Sequence, residues 1–316
     1  MTPTGRFGTL RGAAKLRGLV PVLLTPLHGD ESLDVAGLER LIEYVLNFPF
    51  AGVFALSTGG EDQNLPEPVI EEAANVLVRC CGGRIPTLVK TSSAGLKPTL
   101  ERTRRFADLG IDAAVILFEH KGMSDNHVRR FFTAVADDSP VPIYLYHDAG
   151  RGATLSVDLM LEMLHHPNVA GIKAGGTDLG NLIPVCLLAV PDASVFLAGG
   201  SQVLVGQALG ASGHTAVPLL AFPEKSLAIV EHARAGRLDA ARAEQRDIVE
   251  CMRRMPELRN REIVAQIKAV LEIRGIIGRT MSRPYATVSD EQMGQIRRLI
   301  EEMRMFEVRA MSEARR

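Results

Sequence analysis

No charge of either sign dominates this sequence: 36 lysines and arginines stand against 37 aspartates and glutamates, a formal net charge of −1. So close a balance gives no electrostatic reason to expect nucleic acid or an anionic membrane surface as a partner. No apolar run reaches the roughly 18 residues that a membrane span needs. The opening "MTPTGRFGTLRGAAKLR" is basic but lacks the hydrophobic segment of a signal peptide. A cytoplasmic protein with a loosely ordered N-terminal arm, residues 1–17, is expected. Cysteine is sparse: Cys80, Cys81, Cys186 and Cys251 make no Cys-x-x-Cys pair and show no metal-ligand spacing. They read as reduced packing residues. A Gly-x-Gly-x-x-Gly fingerprint is missing after the first apolar run, which argues against an open dinucleotide-binding sheet. Nothing in the sequence asks for a cofactor or a metal.

What is present is a repeated alternation. Short apolar runs, many β-branched, occur at 19–25, 52–58, 87–92, 113–119, 142–147, 169–174, 194–199 and 214–220. Between them lie segments with apolar residues at helical spacing, such as "LDVAGLERLIEYVLN" and "PVIEEAANVLVRCC". Helix starts are marked by Asp34 or Ser32, by Pro66 and by Ser156. Strands that are apolar throughout, each followed by a helix, imply a parallel sheet covered on its outer face. Eight such units over about 200 residues fit the size of a closed (β/α)8 (TIM) barrel. The expected organisation is an arm (1–17), a barrel catalytic domain (18–235) and a C-terminal helical region (236–316), in which no strand pattern remains.

Barrel active sites collect at the C-terminal ends of the strands. Those ends carry Thr25, the Ser57–Glu61 stretch, Lys90 to Ser93, Glu119-His120, Tyr146-His147 with Arg151, Lys173, Gly199-Gly200 and His214-Thr215. Lys173 lies inside "VAGIKAG", where a lysine is costly to bury. Two readings stay open: an ammonium that snorkels to solvent, or an amine kept partly neutral and so nucleophilic by burial. "ALSTGGEDQNL" is either an ordinary glycine-rich turn or one whose backbone N–H groups receive an anion. Tyr146 suits a general acid/base or a barrel-lining ring, and Arg151 a bidentate carboxylate grip or a surface charge.

These pieces, in this order, resemble the dihydrodipicolinate synthase / N-acetylneuraminate lyase family of class I aldolases, over roughly residues 18–300. "STGGE" stands where the family has Gly-Thr-Thr-Gly-Glu and "YHDAGR" where it has Tyr-Asn-Val-Pro-x-Arg. "GIKAGG" matches Gly-Ile-Lys-Glu-x-Ser/Gly, and "SRPY" (282–285) resembles a late Arg-Pro-Pro segment. The resemblance implies that Lys173 forms a Schiff base with pyruvate or a related 2-keto acid and that Tyr146 shuttles protons. It further implies that Thr58 and the N–H groups of Gly59 and Gly60 hold the keto-acid carboxylate. Thr215 and Gly199 would line the far side, Arg151 would hold a carboxylate of a second substrate, and the assembly would be a homodimer or homotetramer.

Three positions depart from the family pattern. Gly59 replaces a threonine, Glu119 stands where the synthases have a relay tyrosine, and Lys90 replaces a small residue. They point to an aldolase, hydratase or dehydratase other than the lysine-biosynthetic synthase. An ion pair between Lys90 and Glu119 is one expectation. An unpaired Glu119 acting as acid/base is the other. The rivals are a phosphate-binding barrel using "LAGGSQ" (197–202), a metal-dependent aldolase using Glu119, His120 and His127, and a non-catalytic keto-acid binder.

Overall fold

The computed structural model describes residues 6–175, 179–256 and 262–309. Eight strands form one parallel sheet: β1 (Gly18–Pro21), β2 (Val53–Ala55), β3 (Thr87–Lys90), β4 (Ala113–Ile116), β5 (Ile143–Asp148), β6 (Val169–Gly175), β7 (Ser194–Ala198) and β8 (Gly213–Ala216). From β2 to β8 each pairs with the next, and β8 pairs with β1. A parallel bridge between Val22 and Phe54 links β1 to β2, with Leu23 N–H donating to Phe54 C=O at 2.8 Å. The result is a (β/α)8 barrel. Six of the strands end earlier than their apolar runs, while β5 and β6 run one residue past theirs.

Helices α1 (Val35–Leu46), α2 (Glu67–Cys81), α3 (Leu96–Leu109), α4 (Asp125–Asp138), α5 (Val157–Met163), α6 (Leu179–Leu188) and α7 (Val203–Ala208) connect successive strands. After β8 come α8 (Pro218–Ala221), α9 (Pro223–Arg234), α10 (Leu238–Arg254), α11 (Glu262–Ile273) and α12 (Asp290–Glu302). The start signals act as expected: Asp34 accepts from Gly37 N–H at 2.8 Å and Ser156 from Leu159 N–H at 3.2 Å. The chain breaks between α9 and α10 at Gly236, whose φ of +73° is a conformation glycine adopts without strain. No helix among the described residues is long and apolar enough to cross a membrane.

Side chains alternate between two cores. One face of the strands packs on the helices in the main hydrophobic cluster, with Val53, Val89, Ile116, Leu145 and Ile172 among its strand residues. The other face fills the barrel with Val20, Phe54, Leu88, Val115, Tyr144 and Phe196. The N-terminal segment corrects the expectation of a loose arm, at least from residue 6. Leu10 and Leu16 are buried in the barrel's inner cluster, and the Arg11 guanidinium donates to the carbonyls of Leu164 and His166. Residues 1–5 lie outside the described residues. The free cysteines fit the reading of packing residues: Cys81 and Cys251 are buried, and none is paired.

Candidate active site

Lys173 lies on β6 between Ile172 and Ala174, which face the outer layers, so its own side chain enters the barrel. Its register partners are Tyr146 on β5 and Phe196 on β7. Two residues below, a Cβ on Gly171 would sit 2.2 Å from Ser194 O and 2.7 Å from the Tyr144 ring. Glycine at this point lets β7 and Tyr144 close tightly beneath the lysine. Lys173 Nζ lies 4.0 Å from the centroid of the Tyr146 ring and 4.6 Å from that of Phe54. The side chain does not snorkel. Burial holds the amine below the ordinary lysine range, and the Arg151 guanidinium adds to this, while Tyr146 and Asp148 oppose it.

A pocket of about 250 Å³ opens above Lys173. One wall is Tyr146 and Asp148 of β5 and Arg151 of the turn that follows. Arg151 Nη1 donates to the Tyr146 oxygen at 3.1 Å, and the Tyr146 hydroxyl donates to Asp148 Oδ2 at 3.4 Å. Opposite stand Thr215 and the Ala198–Gly200 turn, where Gly199 has φ +110°. The Thr215 hydroxyl is buried and has no hydrogen-bond partner among the described residues. The carbonyl of Gly199 is engaged by His214 Nε2 and by Gln202 N–H at 3.1 Å. Burial pushes the His214 imidazole down to about 4, and Lys173 adds to the shift, so at neutral pH it is an uncharged donor through Nε2.

The third wall comes from the turn after β2. Thr58 and Gly59 line the pocket, but the expected open pair of N–H groups is not formed. Gly59 N–H donates to Ser57 Oγ at 3.3 Å and Gly60 N–H to Ser57 C=O at 2.7 Å, closing a single 3-10 turn. Gly60 does not reach the pocket; its carbonyl accepts from Thr25 Oγ1 at 2.7 Å. A Cβ on Gly59 would meet Val22 and Val217, each at 2.8 Å. The family's threonine is excluded here by two valines.

Lys90 and Glu119 form the expected ion pair, at 2.5 Å, and Asp62 joins them at 2.6 Å from Lys90 Nζ. Burial alone would lower the Lys90 amine, but Asp62 and then Glu119 outweigh it and the net shift is upward. Neither Lys90 nor Glu119 lines the pocket, so the cation acting on Lys173 is Arg151. His120 Nε2 engages Ala94 C=O at 2.8 Å and His127 Nδ1 engages Ser124 Oγ at 2.9 Å. The three side chains considered as a metal set thus face three different partners. Gly176, the last residue of "GIKAGG", lies outside the described residues.

Sequence reasoning did not anticipate three parts of this site. Ile263 and Val264 of α11 roof the pocket, so the C-terminal helices complete the mouth. Lys268, also on α11, is paired at 2.5 Å with Glu61, and both side chains are fully buried. Asp62 and Asp148 were adjacent to residues already singled out, yet only the fold shows what they face.

The structure is thus a closed (β/α)8 barrel with a buried lysine on its inner wall and a pocket at the strand ends. The chain matches the Dihydrodipicolinate synthetase family over residues 15–303 and belongs to that family. It is an enzyme of the class I aldolase type. It is 30% identical over 236 residues to the 4-hydroxy-tetrahydrodipicolinate synthase of Exiguobacterium sibiricum, covering 74% of this chain and 80% of that one. To the N-acetylneuraminate lyase of Rhizobium meliloti it is 26% identical, over 90% and 95% of the two chains. In fold it is similar to the dihydrodipicolinate synthase of Bacteroides thetaiotaomicron, with TM-score 0.85, 23% identity and coverage of 91% and 99%.

Proposed function

We propose that this lyase forms a Schiff base between Lys173 Nζ and the ketone of pyruvate or a related 2-keto acid. It then uses the resulting enamine for aldol addition or cleavage, or for dehydration. The observation that carries this reading is the buried Lys173 amine, held below the ordinary lysine range beside Tyr146 at the floor of an accessible pocket. A neutral amine attacks the carbonyl carbon, water leaves, and the iminium draws electrons from the adjacent carbon.

In this reading Tyr146 carries protons to and from the carbinolamine oxygen. Thr58 and the unpartnered Thr215 hydroxyl bind the keto acid, and Arg151 receives a carboxylate of the second substrate. Val22 and Val217 occupy the space of the family's second threonine, which supports a reaction other than lysine-biosynthetic synthesis. The relatives named as synthases and as a sialic-acid-type lyase bracket the substrate class without narrowing it. Assembly as a homodimer or homotetramer is supported by α6, where Leu179, Ile183 and Leu187 present one exposed apolar stripe.

Turnover against a panel of 2-keto acids and sugar acids, with and without aldehyde partners, tests the proposal. Activity that disappears in Lys173→Ala is expected. Full activity in that variant would refute it.

A further inference from the structure

Glu119 stands where the synthases have a relay tyrosine, and among the described residues the pocket lining holds no second tyrosine. A phenol that shuttles protons still needs an acceptor for its own proton. Asp148 is the one carboxylate among the described residues lining the pocket. Its two oxygens are divided between tasks. Oδ1 accepts from Gly150 N–H at 3.1 Å, which fixes the carboxylate within its own turn, and Oδ2 faces the Tyr146 hydroxyl at 3.4 Å. Arg151 reaches both ends, with Nη1 at 3.1 Å from the Tyr146 oxygen and Nε at 3.5 Å from Asp148 Oδ2.

The contacts favour one direction of transfer. The Tyr146 oxygen accepts from the Arg151 guanidinium, and its own hydrogen is directed at Asp148 Oδ2, the carboxylate oxygen within reach. A guanidinium beside the phenol oxygen stabilises a developing phenolate. Hydrogen bonds of this kind are often long before substrate binds and shorten in the complex. The Asp148 side chain is 15% exposed, so a proton it receives has a route to water.

We propose that Asp148 is the proton-accepting partner of Tyr146, a positioning residue that acts through the phenol and takes over the work of the missing relay. The inference rests on Lys173 forming the imine. When the iminium carbon chain loses a proton, the C–H electron pair becomes the enamine double bond and the C=N π pair moves onto nitrogen. The released proton passes to the Tyr146 oxygen as the phenolic proton passes to Asp148 Oδ2. The reverse transfer reprotonates carbon. No oxidant or further reactant is consumed.

The test uses pyruvate in D2O, following exchange of its methyl protons by NMR, with borohydride trapping run in parallel. Asp148→Asn keeps the shape and the Gly150 contact. It is expected to slow saturated exchange by about 10²-fold or more, with the half-saturating pyruvate concentration changed by less than about threefold and Lys173 still trapped at equilibrium. Asp148→Ala is expected to regain exchange on addition of formate, which a merely structural residue would not allow. Wild-type exchange in Asp148→Asn, or no formate response in Asp148→Ala beside a slowed Asp148→Asn, would overturn the proposal. A wild-type protein that neither traps nor exchanges pyruvate or any other keto acid would instead remove the imine reading, and this proposal with it.

Discussion

Glu61, in the turn after β2, and Lys268, on α11, form a fully buried ion pair at 2.5 Å. Lys268 Nζ also donates to Thr280 C=O at 2.7 Å, and Glu61 Oε2 accepts from both N–H and Oγ of Ser282 at 2.8 and 2.7 Å. One carboxylate thereby fastens the C-terminal helices to the turn that carries Thr58.

Breaking the pair from one side leaves a charge without its partner, which costs about 3–5 kcal/mol. Lys268→Met and Glu61→Gln are each expected to lower the unfolding free energy by that scale. The double variant should lose less than the sum, because neither charge is then stranded. Additive losses in urea titration would show that the two side chains do not act as a pair.

Restoring the family's bulk at position 59 should fail for a steric reason. Gly59→Ala puts a methyl 2.8 Å from both Val22 and Val217, and stiff β-branched walls give way poorly. A loss of about 1–3 kcal/mol is expected. Combining Gly59→Ala with Val217→Ala should recover part of it. A thermal midpoint unchanged in the single variant would mean that the turn moves aside freely.

Glu119→Gln separates structure from chemistry in the loop after β4. Glu119 meets Lys90 and lies off the pocket lining. The expected outcome is turnover within about threefold of wild type and a stability loss of about 1–3 kcal/mol. A rate loss of about 10²-fold with the imine still forming would make Glu119 the acid/base after all.

The fold was legible because its eight strands are apolar on both faces while the helices between them keep a 3.6-residue period. Lys173 and Tyr146 could be read because each lies in the C-terminal half of a short apolar strand, where a polar residue stands out. The partners could not. Asp62 lies 28 residues from Lys90, and Glu61 lies 207 from Lys268. Such contacts leave no periodic trace. The N-terminal segment misled for a related reason: its basic surface hides two leucines that matter only once a barrel exists to receive them. The anion cradle at Gly59 and Gly60 misled because a glycine-rich turn can spend its N–H groups on itself, and the Ser57 side chain and carbonyl decide that here.

Burying Lys173 should reduce stability in a pH-dependent way. Its folded pKa is lowered from 10.5, so the unfolded chain binds the proton more tightly than the folded one. The resulting penalty is full below the folded pKa and fades as pH rises through 10.5. Lys173→Met should therefore be more stable than wild type at neutral pH. The gap should close as the buffer approaches the unfolded lysine value. A gap that is absent at neutral pH, or widens toward alkaline pH, would contradict the burial argument.

The most direct measurement of the central claim is reductive trapping. The protein is incubated with pyruvate and a panel of related 2-keto acids, reduced with borohydride, digested and mapped by mass spectrometry. The account predicts that at least one keto acid leaves its reduced adduct on the peptide containing Lys173, and that Lys173→Ala leaves no adduct. An unmodified wild-type protein across the panel, or an adduct found only on Lys90, would contradict it.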